Sequence, residues 1–155
     1  METVFLFEDL LALLLAIILG SLLGLEREWA KKEAGLKTFT LICFGSALFL
    51  IIARQALNQY VGVSNLDPSR ILGQIIIGIG FLGGGVIIFE PEKKRLEGLT
   101  TAADMWVTAA IGAAVGLELY RLAIMSTVLI TLLLIVLKPF ERKVESKIRS
   151  KIEEN

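Results

Sequence analysis

The sequence contains no histidine, a single cysteine and only three prolines in 155 residues. Without histidine, zinc-finger, haem–histidine and Ser-His-Asp chemistries are excluded. Cys43, being alone, can form neither an intramolecular disulfide nor a thiolate cluster, and it reads as a small packing residue. Any metal held by this chain must be held by oxygen, which favours a hard cation such as magnesium or calcium. An excess of either charge is missing too: sixteen basic and sixteen acidic residues cancel, so net charge selects no partner. No nucleophile–base set is visible, and no enzyme is expected.

Apolar residues are what the chain has in abundance. They make up 55% of it, with a mean hydropathy of +0.72, and a soluble domain of this size carries fewer. Runs long enough to cross about 30 Å of hydrocarbon recur along the sequence. The pattern predicts an all-α, polytopic membrane protein with five transmembrane helices. They fall at about Val4 to Leu25, Leu36 to Ala53, Ile71 to Phe89, Leu99 to Leu117 and Leu122 to Leu137. The N-terminal flank carries Glu2, Glu8 and Asp9 with no basic residue, unlike the positive start of a signal peptide, so the first segment reads as a retained helix. With the N-terminus outside, thirteen basic residues lie in inner segments and only Arg54, Arg70 and Arg121 in outer ones. The positive-inside rule therefore sets an N-out, C-in orientation. Residues 1–137 form the transmembrane domain and 138–155 a charged tail. In the tail Phe140, Val144, Ile148 and Ile152 recur every fourth residue and predict an amphipathic helix. That helix either lies on the inner membrane surface or continues the fifth span.

Glycine is concentrated where a soluble helix could least tolerate it. Gln74 to Phe89 reads QIIIGIGFLGGGVIIF. Each glycine would cost about 0.5–1 kcal/mol in a water-exposed helix, whereas in a bilayer it lets helix backbones approach. Gly73, Gly80 and Gly84 share one helical face, which predicts that this third helix is the packed centre of the bundle. Gly20 and Gly24 make a similar pair on the first helix, and Gly112 and Gly116 on the fourth. Gly78 to Gly83 also matches GxGxxG, but no strand precedes it, and the nucleotide-binding reading is set aside.

Charged residues near span ends supply the candidate site. Glu26, Glu28 and Asp104 all fall on the cytoplasmic side and are the candidate metal ligands. Arg27, Arg70, Thr100 and Thr101 are supporting candidates. Glu28 continues the Gly20–Gly24 face, and Thr101, Asp104, Thr108 and Gly112 form one polar stripe at helical spacing. A carboxylate inside a span costs about 2.5–3.5 kcal/mol on insertion scales, so Asp104 should face a partner or a wet cavity. Two readings stay open: a cytoplasmic cation site, or an ion-pair network with Arg27 that neutralises buried charge. Asp67 followed by Pro68 reads as an ordinary helix start.

Several motifs occur together and in order: Gly24-Leu25-Glu26-Arg27-Glu28, Ala34-Gly35-Leu36-Lys37-Thr38, Asp67-Pro68-Ser69-Arg70, the Gly78–Gly85 run and Gly98-Leu99-Thr100-Thr101-Ala102-Ala103. The ordered set resembles the transmembrane domain of the MgtC/SapB family of bacterial and archaeal membrane proteins, over about Leu10 to Leu137. Two departures stand out: the family pattern usually has arginine at Lys37 and often proline at Glu33 or Ala34. Longer members add a soluble ACT-like C-terminal domain, and the resemblance, covering the transmembrane part only, implies a member without it. The resemblance implies a multi-pass protein of the prokaryotic plasma membrane, linked to magnesium through Mg2+ binding, sensing or transport at the cytoplasmic side. The alternative it implies is a regulator that binds another membrane complex, such as the ATP synthase, through glycine-lined helices. Expected partners are the lipid membrane, a second copy in a homodimer and such a complex, with no nucleic acid.

Overall fold

The computed structural model describes the backbone of residues 2–59, 68–91 and 95–153, and the side chains of residues 6–57, 69–91 and 96–139. Five helices run in order: α1 (Glu2–Trp29), α2 (Leu36–Gln59), α3 (Pro68–Val86), α4 (Leu99–Gly116) and α5 (Tyr120–Glu153). Each contains a stretch long and apolar enough to cross a bilayer, as the hydropathy predicts. The Asp67 cap and the side chains of Phe140, Val144, Ile148 and Ile152 lie outside the described residues. The backbone of α5 nevertheless runs unbroken through Pro139, so the tail continues the fifth helix.

A short antiparallel hairpin breaks the all-helical pattern between α3 and α4. Strand β1 (Ile88–Glu90) pairs with β2 (Arg95–Glu97) in the register Ile88 to Glu97, Phe89 to Leu96 and Glu90 to Arg95. The hydropathy extends the third helix to Phe89, but α3 ends at Val86, and the β-branched and aromatic Ile88 and Phe89 take extended backbone instead. Gly98 turns the chain from β2 into α4 at φ 85°, and a side chain there would overlap the Val86 carbonyl.

The packed centre is α1, α2 and α4, with α3 and α5 on the flanks. Over half of the α4 span (56%) is buried, against 11% for α3. Small residues make this possible. A Cβ placed at Gly20 would stand 2.7 Å from Cys43 Cβ, one at Gly24 would stand 2.7 Å from Leu36 Cα, and one at Gly116 would stand 2.7 Å from Leu50 Cβ. At Gly112 it would overlap the Cys43 carbonyl. These four glycines hold α1 and α4 against α2 at backbone contact.

The expectation for α3 is overturned. Around Gly73, Gly80 and Gly84, as around Gly78 and Gly85, an added Cβ meets nothing within 4 Å. Only Gly83 of this run touches a neighbour, Ala102. Glycine density marks a surface able to pack closely, and the sequence cannot say whether that surface is already used.

Both ends of the central bundle close with the same backbone device. At the end of α1, Lys32 N–H donates to the Arg27 carbonyl and Lys31 N–H to that of Glu28. At the end of α4, Leu119 N–H donates to the Ala114 carbonyl and Glu118 N–H to that of Val115. These are Schellman motifs, with Lys31 (φ 53°) and Glu118 (φ 63°) in the left-handed position that glycine usually fills.

Candidate functional site

The inner end of α1 carries Glu26 and Arg27 on its last turns, and α4 brings Asp104 to them. The Arg27 guanidinium pairs with Glu26 on one side and, at 2.8 Å from Nη1 to Oδ2, with Asp104 on the other. All three residues are buried, Arg27 to 4% exposure. The Nη1–Oδ2 contact is close enough for an ion pair but lacks hydrogen-bond alignment, and neither atom has another partner. Two carboxylates face one guanidinium, so these three side chains alone sum to one negative charge, and the Lys32 ammonium also acts on Asp104. A buried charge that packing does not require is costly.

The remaining candidates are dispersed. Glu28 is exposed; its Oε2 accepts the Leu36 N–H at 3.1 Å and so caps the start of α2. The expectation that Glu28 continues the Gly20–Gly24 face into a helix contact is not met: the exposed carboxylate meets the N-terminus of α2, where a carboxylate is favoured. Gly35 leaves the room for it, because a side chain there would overlap the Glu28 carboxylate. Thr101 is buried and donates to Glu33 Oε2 at 2.7 Å, while Thr100 is exposed. Arg70 stands exposed in the first turn of α3, at the opposite end of the bundle from the triad. Its assignment as a supporting residue is thereby corrected.

Glu33 is the polar residue here that sequence reasoning passed over. A backbone hydrogen bond and the Thr101 hydroxyl hold its carboxyl below its ordinary value of 4.5. The pairing spans the α1–α2 loop and the first turn of α4, and nothing in the local sequence links the two.

The outer end holds a second cluster that the sequence reading also missed. Arg54 of α2 pairs with Asp9 of α1 and with Glu118 in the α4–α5 turn, and the Gln55 amide donates to the other Asp9 oxygen. Asp9 lies just inside the first span and Arg54 just inside the second, a complementarity that helix orientation could have revealed. The core between the two clusters is mostly apolar, with the small residues Ala16, Gly20, Cys43, Ala47, Ala109 and Gly112 buried beside the larger Phe39, Leu50 and Ile111. Thr108 forms part of the expected polar stripe, yet its hydroxyl donates back to the Asp104 carbonyl at 2.7 Å.

A resident magnesium ion needs oxygen ligands converging on one point. Among the described residues no group of three or more acidic, histidine or cysteine side chains is placed to hold a metal. Arg27 stands between Glu26 and Asp104, where a directly bound ion would have to sit, and Glu28 is committed to α2. The arrangement does not fit a directly ligated cation.

A family profile described as the MgtC family matches residues 13–143. The protein named "Putative magnesium transporter YhiD" of Escherichia coli K12 is 43% identical over 124 residues, covering 79% of this chain and 57% of that protein. Protein MgtC of Salmonella typhimurium LT2 is 40% identical over 129 residues, covering 83% and 52%. Protein SrpB of Synechococcus elongatus is 40% identical over 121 residues, covering 74% and 66%. This chain thus spans about half to two-thirds of these relatives. No solved structure matches it.

Proposed function

Since this chain belongs to the MgtC family, we propose that it is a magnesium-linked protein of the prokaryotic plasma membrane that responds to cations at its cytoplasmic face rather than conducting them alone. The observation that carries this reading is the pair of carboxylates, Glu26 and Asp104, sharing the single Arg27 guanidinium at the inner end. Hydrated Mg2+ keeps several waters and needs only one or two carboxylates nearby. Two buried carboxylates on one guanidinium attract such an ion towards the inner end without direct ligation. The name of the Escherichia coli relative points to transport of magnesium. Against conduction by one chain stand the apolar residues filling the core between the two charged clusters, Phe39, Leu50 and Ile111 among them. A transport path would need a second chain.

The test is thermal stability of the purified protein with and without Mg2+, beside Mg2+ flux into liposomes. The expected result is stabilisation by Mg2+ that Asp104→Asn removes, with no flux in either protein. Flux in the wild type that Asp104→Asn abolishes overturns the reading in favour of transport.

The open glycine face of α3 favours a second role. Gly73, Gly80 and Gly84 have room for another helix at backbone distance, and helices in membranes associate through such faces. A second copy of the chain, or a helix of another membrane complex, would fill it. On this reading the inner triad senses and α3 transmits.

A further inference from the structure

The inner halves of α1 and α5 do not close against one another. Between them runs a groove of about 470 Å³, within the range of about 300–1,000 Å³ common for ligand sites. Its walls are Leu22 and Leu25 of α1 and Val128, Leu132 and Ile135 of α5. Thr127 and Thr131 also line it, but each donates its hydroxyl to a backbone carbonyl one turn earlier. The walls therefore make no polar demand on an occupant. From Thr127 to Lys138 the groove follows about 16 Å of helix, which is the hydrocarbon depth of one leaflet, half of about 30 Å.

The mouth differs from the walls. Glu26, Trp29 and Lys138 meet there, at the inner interface. Glu26 and Lys138 both line this groove and form no ion pair with each other, and Lys138 has no ion-pair partner among the described residues. Glu26 shares its one cation, Arg27, with Asp104, so its carboxylate can accept a further donor. Trp29 is 79% exposed beside them, an amphipathic ring of the kind found at headgroup level. A groove one leaflet deep, apolar inside and bearing opposite charges at its mouth, matches a zwitterionic lipid.

We propose that this groove binds one phosphatidylethanolamine of the inner leaflet, with its ammonium on Glu26, its phosphate on Lys138 and one acyl chain between α1 and α5. The headgroup is set by chemistry. A primary ammonium donates hydrogen bonds to a carboxylate, and charge-assisted bonds of this kind are the strong ones. A choline headgroup has no N–H to donate, and a glycerol headgroup offers Glu26 no cation. The inference shares Glu26 with the cation reading but needs no Mg2+, so the lipid titration is run without Mg2+ and its failure leaves the cation test untouched.

The experiment uses delipidated full-length protein in detergent, titrated with dioleoyl-phosphatidylethanolamine, -phosphatidylcholine and -phosphatidylglycerol and followed by thermal stability and native mass spectrometry. Phosphatidylethanolamine is expected to bind about tenfold more tightly than either of the others. Glu26→Gln should erase its advantage over phosphatidylcholine, and Lys138→Gln should weaken all three lipids. Leu132→Trp fills the groove, leaves both charged groups in place and should abolish retention of the lipid. Equal binding of the three lipids, or a preference for phosphatidylglycerol, overturns the proposal. If Glu26→Gln does not fold, Leu132→Trp decides: an undiminished phosphatidylethanolamine preference in that variant rejects this groove.

Discussion

Arg27 of α1 and Asp104 of α4 meet at 2.8 Å in the buried inner end of the bundle, with Glu26 on the guanidinium's other side. The two acids are not equivalent to the base in their consequences. Replacing Arg27 by alanine leaves two buried carboxylates facing each other and should cost about 3–5 kcal/mol. Asp104→Asn leaves Glu26 paired with Arg27 and removes the excess charge, so it should cost far less. Chemical unfolding in detergent orders the two variants; comparable losses would contradict this account of the triad.

The glycines divide sharply by position. Gly112→Ala should destabilise the bundle strongly, because its Cβ overlaps the Cys43 carbonyl and neither backbone can yield. Gly80→Ala should leave the monomer's stability unchanged or slightly raised, since the Cβ enters open space in a helix. Gly80→Leu then reports on the α3 face: cross-linking between copies in membranes should fall while the melting temperature holds.

Glu33 introduces a dependence on pH. Its carboxyl titrates below the ordinary 4.5 because the folded state hydrogen-bonds the ionised form. A depressed folded value means that the unfolded chain binds more protons. The stabilisation is therefore full above the ordinary value and is lost as pH falls from 4.5 towards the lowered one. Melting curves should show this acid-side loss in the wild type and a smaller one in Glu33→Gln.

The two left-handed helix ends give opposite outcomes. Lys31→Gly relieves a conformation that costs an L-residue about 1–2 kcal/mol and should raise stability by about 1 kcal/mol. Glu118→Gly relieves the same conformation but removes the ion pair to Arg54, so its gain should be smaller or absent. The pair of melting temperatures checks both halves of the statement.

At the start of α2, Gly35→Ala should push the Glu28 carboxylate away from the Leu36 N–H. The loss expected is about 1 kcal/mol, the usual worth of a capping group. Glu28→Ala should lose a similar amount, and the double variant little more, because both changes remove one interaction.

The five spans were legible because hydropathy over about twenty residues depends on composition alone. The stripe through Thr101, Asp104, Thr108 and Gly112 was legible for a related reason: helical periodicity fixes which residues share a face, and all four are buried. Which face is covered is a property of two helices at once. Gly73, Gly80 and Gly84 have the spacing of a packed face and yet stand open, whereas Gly112 and Gly116 have the same four-residue step and touch α2. The site divided along the same line. Arg27 with Asp104 was one of two readings drawn from charge, while Glu33 with Thr101 joins residues that no local pattern connects.

The placement of α4 between α1 and α2 on one side and α3 on the other bears on how the chain is made. The ribosome delivers α3 to the membrane before α4, yet the seat against Cys43 and Ala47 is taken by the later arrival, through Gly112 and Gly116. Asp9 finds Arg54 as soon as the second helix emerges, so the outer clasp can form early, whereas Arg27 must wait for the fourth helix to meet Asp104. Order of synthesis and order of packing therefore differ: the outer clasp needs only the first two helices, whereas the inner one needs α4, which is made after α3.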